Sequence, residues 1–206
     1  MNTRLFWNFE TTGTAFGFPP NTDLPKGSLR WEMRWFWPHD RPILLQGLDA
    51  SFLELTQFKT KHRTDTYYLL DDLPANLKRR NHRLVYKPLI ARDGNLYGYG
   101  KKINLHEVPP DTPLPGLAHL LAGELVHRRE TAHPRLLITK TALIREFSIP
   151  AGCLMEFTRI THNGGVYFSF SIESRSKTVI HALAAHLQPD GLCCDYPTFL
   201  RQTWPS

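Results

Sequence analysis

The sequence predicts an α+β protein in which antiparallel strands curl into a barrel and a few helices flank it. Three observations carry this. From Leu29 to Trp37 the charged residues Arg30, Glu32 and Arg34 alternate with Trp31, Met33, Trp35 and Trp37, the two-residue period of a strand with one polar and one apolar face. Sixteen prolines and thirteen glycines break the chain at short intervals, which suits strands and turns better than long helices. Finally, one predicted strand after another carries a charged residue among apolar neighbours, and a sheet closed on itself would gather these groups on an inner wall.

Taken in order, residues 1–28 read as an arm, with a strand near Leu5–Phe9 and a loop ending in Pro19, Pro20 and Pro25. The remainder, 29–206, reads as one domain, a usual size for a single core. The strand at 29–37 stops at Pro38, which cannot donate to a ladder. Asp49 can cap a short helical turn over 49–55. Thr64–Leu70 is β-branched and aromatic, a strand that Asp71–Pro74 turns back. Leu77–Arg80 and Arg83–Ile90, joined at Asn81-His82, form a hairpin, and Asp93-Gly94 marks another tight turn. Leucines at 117, 120, 121 and 125 give helical spacing over 114–129. Strands follow at 135–141 and 143–149, the second continuing the first across a bend. Leu154–Ile160 and Val166–Glu173 flank His162-Asn163-Gly164-Gly165, a strong hairpin signal. Residues 177–187 form the best helix, and Tyr196–Leu200 closes the chain.

Composition narrows the function. No stretch approaches the roughly 20 apolar residues of a membrane helix, and Met1–Asn8 lacks the apolar run of a signal peptide. Cys153 and the adjacent pair Cys193-Cys194 fit a reducing cytoplasm better than a disulfide framework or a CxxC zinc site. A net charge of +6 and a pI near 9.3 point to an anionic partner, whether nucleic acid, a nucleotide, a polyphosphate or an acidic surface. Ten histidines do not make a metal site: His181 and His186 stand at i, i+5, off a common helix face. No phosphate-binding glycine loop, nucleophile elbow or dinucleotide fingerprint occurs.

The recurring charges are Arg30, Glu32 and Arg34, then Lys78, Arg80, Lys87, Lys140, Arg145, Glu156, Arg159 and Glu173. Cations set into a barrel interior would need water and an anion with several negative oxygens. The alternative, that each lies on a solvated outer face, stays open at this point.

The order of motifs resembles the CYTH superfamily, the triphosphate tunnel metalloenzymes. Arg30-Trp31-Glu32-Met33-Arg34 stands where that family has an ExExK strand. Asp65-Thr66-Tyr67-Tyr68, Leu77-Lys78-Arg79-Arg80, Leu84-Val85-Tyr86-Lys87, Ile138-Thr139-Lys140, Ser171-Ile172-Glu173 and Tyr196-Pro197-Thr198-Phe199-Leu200 follow in the family's order. The resemblance spans about residues 29–201. It implies an eight-stranded antiparallel tunnel that binds the triphosphate of a small molecule. It further implies phosphate contacts from Arg34, Lys78, Arg80, Lys87 and Lys140, to which Arg30, Arg145 and Arg159 are added by their place among the strand charges. Mg²⁺ or Mn²⁺ would be held by Glu32 and Glu173, with Glu156 as a further ligand.

Arg30 replaces the first glutamate of the motif, Arg34 its lysine, and Ser171 a later glutamate. Each carboxylate pair has lost a member, which favours phosphate binding over hydrolysis. Three readings follow: a triphosphatase-like phosphohydrolase, a polyphosphate- or nucleotide-binding module with a degenerate metal site, and an RNA-binding β-domain. The last needs basic and aromatic side chains on one exposed face, whereas the alternation at 29–37 separates them.

Overall fold

Several strands of this chain end at a proline or a turn residue, as at Pro38, Asn81 and Asn163. The computed structural model describes residues 2–13, 15–18, 29–48, 52, 54–70, 73–117, 119–132 and 134–203. The N-terminal part holds β1 (Thr3–Phe6), β2 (Phe9–Thr12), β3 (Arg30–Pro38) and β4 (Ile43–Gln46). The middle holds β5 (Lys59–Leu70), β6 (Leu73–Arg80), β7 (Arg83–Lys87), β8 (Leu89–Asp93), β9 (Leu96–Tyr99), β10 (Ile103–Asn104) and the helix α1 (Ala122–Thr131). The last third holds β11 (Arg135–Phe147), β12 (Cys153–His162), β13 (Gly165–Ser174), α2 (Lys177–Leu187), β14 (Leu192–Cys193) and α3 (Tyr196–Thr203).

The main sheet runs β10-β7-β6-β5-β11-β12-β13-β3-β9-β8, with β14 added to β3, and its pairs are antiparallel. A second sheet, β1-β2-β4, joins β2 and β4 in parallel. The α+β class thus holds in outline, while eight strands is too few: the described residues contain fourteen, eleven of them in the main sheet. The sheet curls into a half-barrel whose order is a path and not a ring. At the seam the chain steps from β7 to β8 through Pro88, which has no N–H to offer a ladder. Side chains bridge where backbone does not, for Lys87 Nζ of β7 lies 2.5 Å from Glu32 Oε2 of β3.

Two hairpin turns match the sequence reading. Asn81 and His82 (φ 46° and 64°) join β6 to β7, and Asn163 and Gly164 (φ 48° and 73°) join β12 to β13. Paired left-handed residues give the turn whose twist suits the flanking strands. The segments 135–141 and 143–149 are one strand up to Phe147, β11, paired without interruption to β5. The helix expected over 114–129 starts only at Ala122. Gly116 is left-handed at φ 78°, so Leu114, Leu117 and Leu120 follow in successive turns, each backbone N–H of the later two donating to the carbonyl three residues back. Of the Asp49-capped turn, Asp49, Ala50, Ser51 and Leu53 lie outside the described residues; a 3-10 turn at Leu55–Gln57 follows. Asp71 and Asp72 also lie outside them.

The convex side of β3, β12 and β13 carries the largest apolar cluster. Trp31, Met33, Trp35 and Trp37 pack there with Val179, Ile180, Leu183 and Leu187 of α2. The N-terminal hairpin joins the same cluster: Phe9 is fully buried, and the Phe6 ring stands 4.9 Å from that of Phe157. A second cluster packs α1 and the 105–120 turns over the convex side of β5–β7. A third lies inside the curl. Phe36, Leu69, Leu136, Ile138 and Ile160 meet Tyr196, Phe199 and Leu200 of α3 there, with the Phe36 and Phe199 rings stacked 4.0 Å apart. The helix α3 therefore fills one end of the concavity, and the interior is a cup where a tunnel was expected. Asp195 caps α3 by accepting from the Thr198 N–H at 3.0 Å.

Gly98 of β9 packs against Trp31, whose ring atoms would stand 2.9 Å from a Cβ at that position. Gly98→Ala should lower stability by about 1–3 kcal/mol, the usual cost of overpacking, read as a lower urea midpoint with an unchanged slope.

Candidate functional site

The alternation of β3 decides which side chains enter the cup. Arg30, Glu32 and Arg34 point into it while the tryptophans point to the convex core. Neighbouring β13 registers Ser171 opposite Arg34 and Glu173 opposite Glu32. The strand β12 supplies Glu156, β11 Lys140, and β7 Lys87. Lys61, Arg63 and Tyr67 enter from β5, and Asn76, Lys78 and Arg80 from β6. Tyr99 of β9 and Lys102 of the segment after it complete the wall. The space, open at its mouth, is about 210 Å³ and is lined by five lysines and four arginines against the three glutamates Glu32, Glu156 and Glu173. The lining is graded in depth. On β3 the inward series runs Arg30, Glu32, Arg34, Phe36; on β11 it runs Ile144, Lys140, Ile138, Leu136.

At the centre the Arg34 guanidinium is almost fully buried. It donates to Glu32 Oε1 at 2.8 Å, to Glu156 Oε1 at 3.2 Å and to Ser169 Oγ at 3.1 Å, and lies 4.8 Å from the centre of the Tyr196 ring. Glu32 is held on its other oxygen by Lys87, and Glu156 on its other oxygen by Arg63 at 3.3 Å. Burial works against both carboxylates. Lys87 and Arg34 nevertheless hold Glu32 well below the usual range, and Arg34 and Arg63 lower Glu156.

A second knot lies on β5 and β6. Asp65 has no exposed surface and accepts from Arg80 in a two-pronged bond at 2.6 and 2.5 Å and from Lys78 at 3.2 Å. Lys140 Nζ stands 3.9 Å from the same carboxylate and donates to the Tyr67 hydroxyl at 2.9 Å. Despite burial, these cations pull Asp65 far below the carboxylate range. Burial lowers the Lys78 amine to about 7 against the pull of Asp65, and burial together with the Lys78 charge holds Lys140 well below its ordinary value.

Glu173 is treated differently from the other glutamates. Its nearest cation is Arg30 at 3.9 Å, on a side chain that is more than half exposed. Burial and the adjacent Glu32 carboxylate raise its pKa.

Nine predicted site residues thus meet at one cavity: Arg30, Arg34, Lys78, Arg80, Lys87 and Lys140 with Glu32, Glu156 and Glu173. Two predicted phosphate ligands stand elsewhere. Arg145 is buried on the convex side, its guanidinium 4.8 Å from the Phe147 ring centre and 5.6 Å from that of Phe52. Arg159 is exposed and lies outside the cavity wall. Lys61, Arg63, Lys102, Asn76 and Tyr99 line the cavity without having been picked out from the sequence. For Lys61 and Arg63 a signal existed, since Lys61, Arg63, Asp65 and Tyr67 alternate along one strand.

As placed, the glutamates do not form a resident Mg²⁺ or Mn²⁺ centre. Glu32 and Glu156 already spend both oxygens on arginine and lysine. Among the described residues no group of three or more His, Cys, Asp or Glu is placed to hold a metal ion. The same donor set suits an anion, because the cations outnumber the carboxylates and several N–H bonds remain directed inward.

No family model matches the chain, and no curated protein does.

Arg34→Met would strand two buried carboxylates, and the unfolding free energy should fall by about 3–5 kcal/mol. Asp65, Glu32 and Glu156 all have depressed pKa values in the fold. The stability they contribute is present above their unfolded values near 4 and is lost as pH falls towards their folded ones. Urea midpoints should therefore decline steeply below about pH 4 and more gently for Asp65→Asn, whose neutral amide has no such proton to bind.

Proposed function

We propose that this chain binds a compact polyphosphate, either inorganic triphosphate or the triphosphate of a nucleotide, inside the cup. The observation that carries the reading is the charge imbalance of the cup wall, five lysines and four arginines against three glutamates and the Asp65 behind them. A lone phosphate would meet few of these donors. A chain of phosphoryl groups meets many, and charge-assisted N–H bonds to phosphate oxygens are the stronger kind. The inward placement of Glu32, Arg34, Lys78, Arg80, Lys87, Lys140 and Glu173 supports a divergent relationship to the triphosphate tunnel fold.

The role is binding more than hydrolysis, because two of the three glutamates that could hold a divalent ion, Glu32 and Glu156, are already neutralised by Arg34, Arg63 and Lys87, which leaves Glu173. The RNA-binding reading needs aromatic rings free to stack, and Trp31 and Trp35 are buried beneath α2. No described helix is long and apolar enough to cross a membrane.

Calorimetry with sodium tripolyphosphate should show binding that weakens with added salt, as expected for charge contacts. Arg63→Ala and Lys102→Ala should each reduce affinity by about tenfold, the loss of one charged hydrogen bond. Phosphate release from tripolyphosphate that requires Mg²⁺ and disappears in Glu173→Gln would show hydrolysis and overturn the binding-only role. Absence of any heat or thermal shift would overturn the anion site itself.

A further inference from the structure

The cations of the cup act together in the proposed function, but one cluster among them is out of balance by itself. Lys78, Arg80 and Lys140 share a single carboxylate, Asp65, at 3.2, 2.5 and 3.9 Å. Among the described residues no second carboxylate lies within 4 Å of them, although Glu156 favours the charge on Lys140 and Arg80 from further off. From β12, Glu156 faces the cluster with its oxygens bonded to Arg34 and Arg63. From β5, the Tyr67 hydroxyl accepts from Lys140 at 2.9 Å and from Lys78 at 3.3 Å, and burial keeps that phenol neutral by pushing its pKa well up. From α3, the Tyr196 ring lies 3.4 Å from Lys140 Nζ and is likewise raised by burial. Arg34 of β3 adds positive charge towards Lys140, and Lys102 adds it towards Lys78. An arginine does not release its proton at any ordinary pH. The imbalance therefore falls on the two lysines.

We propose that filling the cup with a phosphate polyanion is coupled to proton uptake by the Lys78–Lys140 pair, which shares the single Asp65 carboxylate with Arg80. The inference rests on the anion-binding reading of the same cavity. Burial brings the Lys78 amine to about 7 and holds Lys140 well below its ordinary value, and an anion seated among them favours the charged form of both. The sign follows from linkage. Each amine has a lower pKa in the empty cup than in the filled one, so uptake occurs at pH values between the two. Through that window affinity falls as pH rises, by up to about tenfold per unit for each proton taken up, and it levels off below the empty-cup value.

The test is calorimetry of tripolyphosphate at about pH 8 in two buffers of different ionisation enthalpy, which counts protons taken up per anion. The anion's own titration is common to every variant, so the difference from wild type counts lysine protons. Lys140→Met and Lys78→Met should each take up fewer protons than wild type, by about half to one. Equal uptake in wild type and both variants, with the anion bound, would overturn the coupling and leave the anion site standing. A second measurement needs no ligand and no variant: carbon-13 NMR titration of the lysine side chains in the free protein. The Lys78 amine titrating near 7, and the Lys140 amine well below the usual lysine value, are expected. Lysines that all titrate near their usual value of about 10.4 would overturn the proposal. Depressed amines with no heat from tripolyphosphate would overturn the anion-binding reading, and the coupling with it.

Discussion

Arg34 is the interaction on which the concave half of this protein depends. A charged guanidinium in a nearly dry interior is tolerable only if its N–H groups are met and its charge is answered. Glu32, Glu156 and Ser169 do both, from three different strands. The residue therefore ties β3, β12 and β13 to one another from inside the curl. Its partners are fixed in turn by Lys87 and Arg63, so the network reaches from the seam at β7 to the long strand β5. That chain of charges spans the seam, where the backbone ladder is missing.

The grading of the interior follows from the same economy. Towards α3 the inward positions are Phe36, Leu69, Leu136, Ile138 and Ile160, and the space is filled. Towards the mouth they are charged, and the space is open. Tyr67 and Tyr196 sit at the boundary with rings stacked 5.7 Å apart, and they present π faces to Lys140 and Arg34. An aromatic floor allows cations to approach a dry region without a carboxylate for each, since a ring face attracts a cation by about 0.5–2 kcal/mol. An enclosed surplus of positive charge can thus be assembled on a folded chain.

Much of this was legible in the sequence where period and parity agreed. The alternation of residues 29–37, the turns at Asn81-His82 and Asn163-Gly164, and the helix at 177–187 all appear as expected. The failures share one cause, which is that side-chain direction depends on an uninterrupted count along each strand. Lys140 and Arg145 are five apart on the continuous strand β11, and Glu156 and Arg159 are three apart on β12. Odd separations send the two members to opposite faces, so Arg145 went to the convex core and Arg159 to solvent. A bend assumed within β11 concealed this. Lys61 and Arg63 were passed over for the complementary reason, because β5 begins five residues before the apolar run that advertises it. Lys102 had no periodic signal, since it lies outside any strand. The leucines at 114–120 mimic a helical face and show that spacing reports burial more faithfully than it reports helix.

Arg30 stands at the mouth of the cup, where a carboxylate would act quite differently. A carboxylate at the mouth, beside Glu173 and Glu32, would have concentrated negative charge at one point of the wall and called for a divalent ion. Arg30 supplies a tethered monovalent cation there instead, 3.9 Å from Glu173. Deeper in the cup Arg34 and Lys87 do the same for Glu32. Charges held on side chains differ from a bound ion in one respect that matters for chemistry. They neutralise carboxylates and present N–H bonds to an anion, but they offer no open coordination position at which water is acidified. The wall of this cup is thus built from groups suited to the proposed phosphate chain, with N–H bonds for its oxygens, and its carboxylates keep those groups in place.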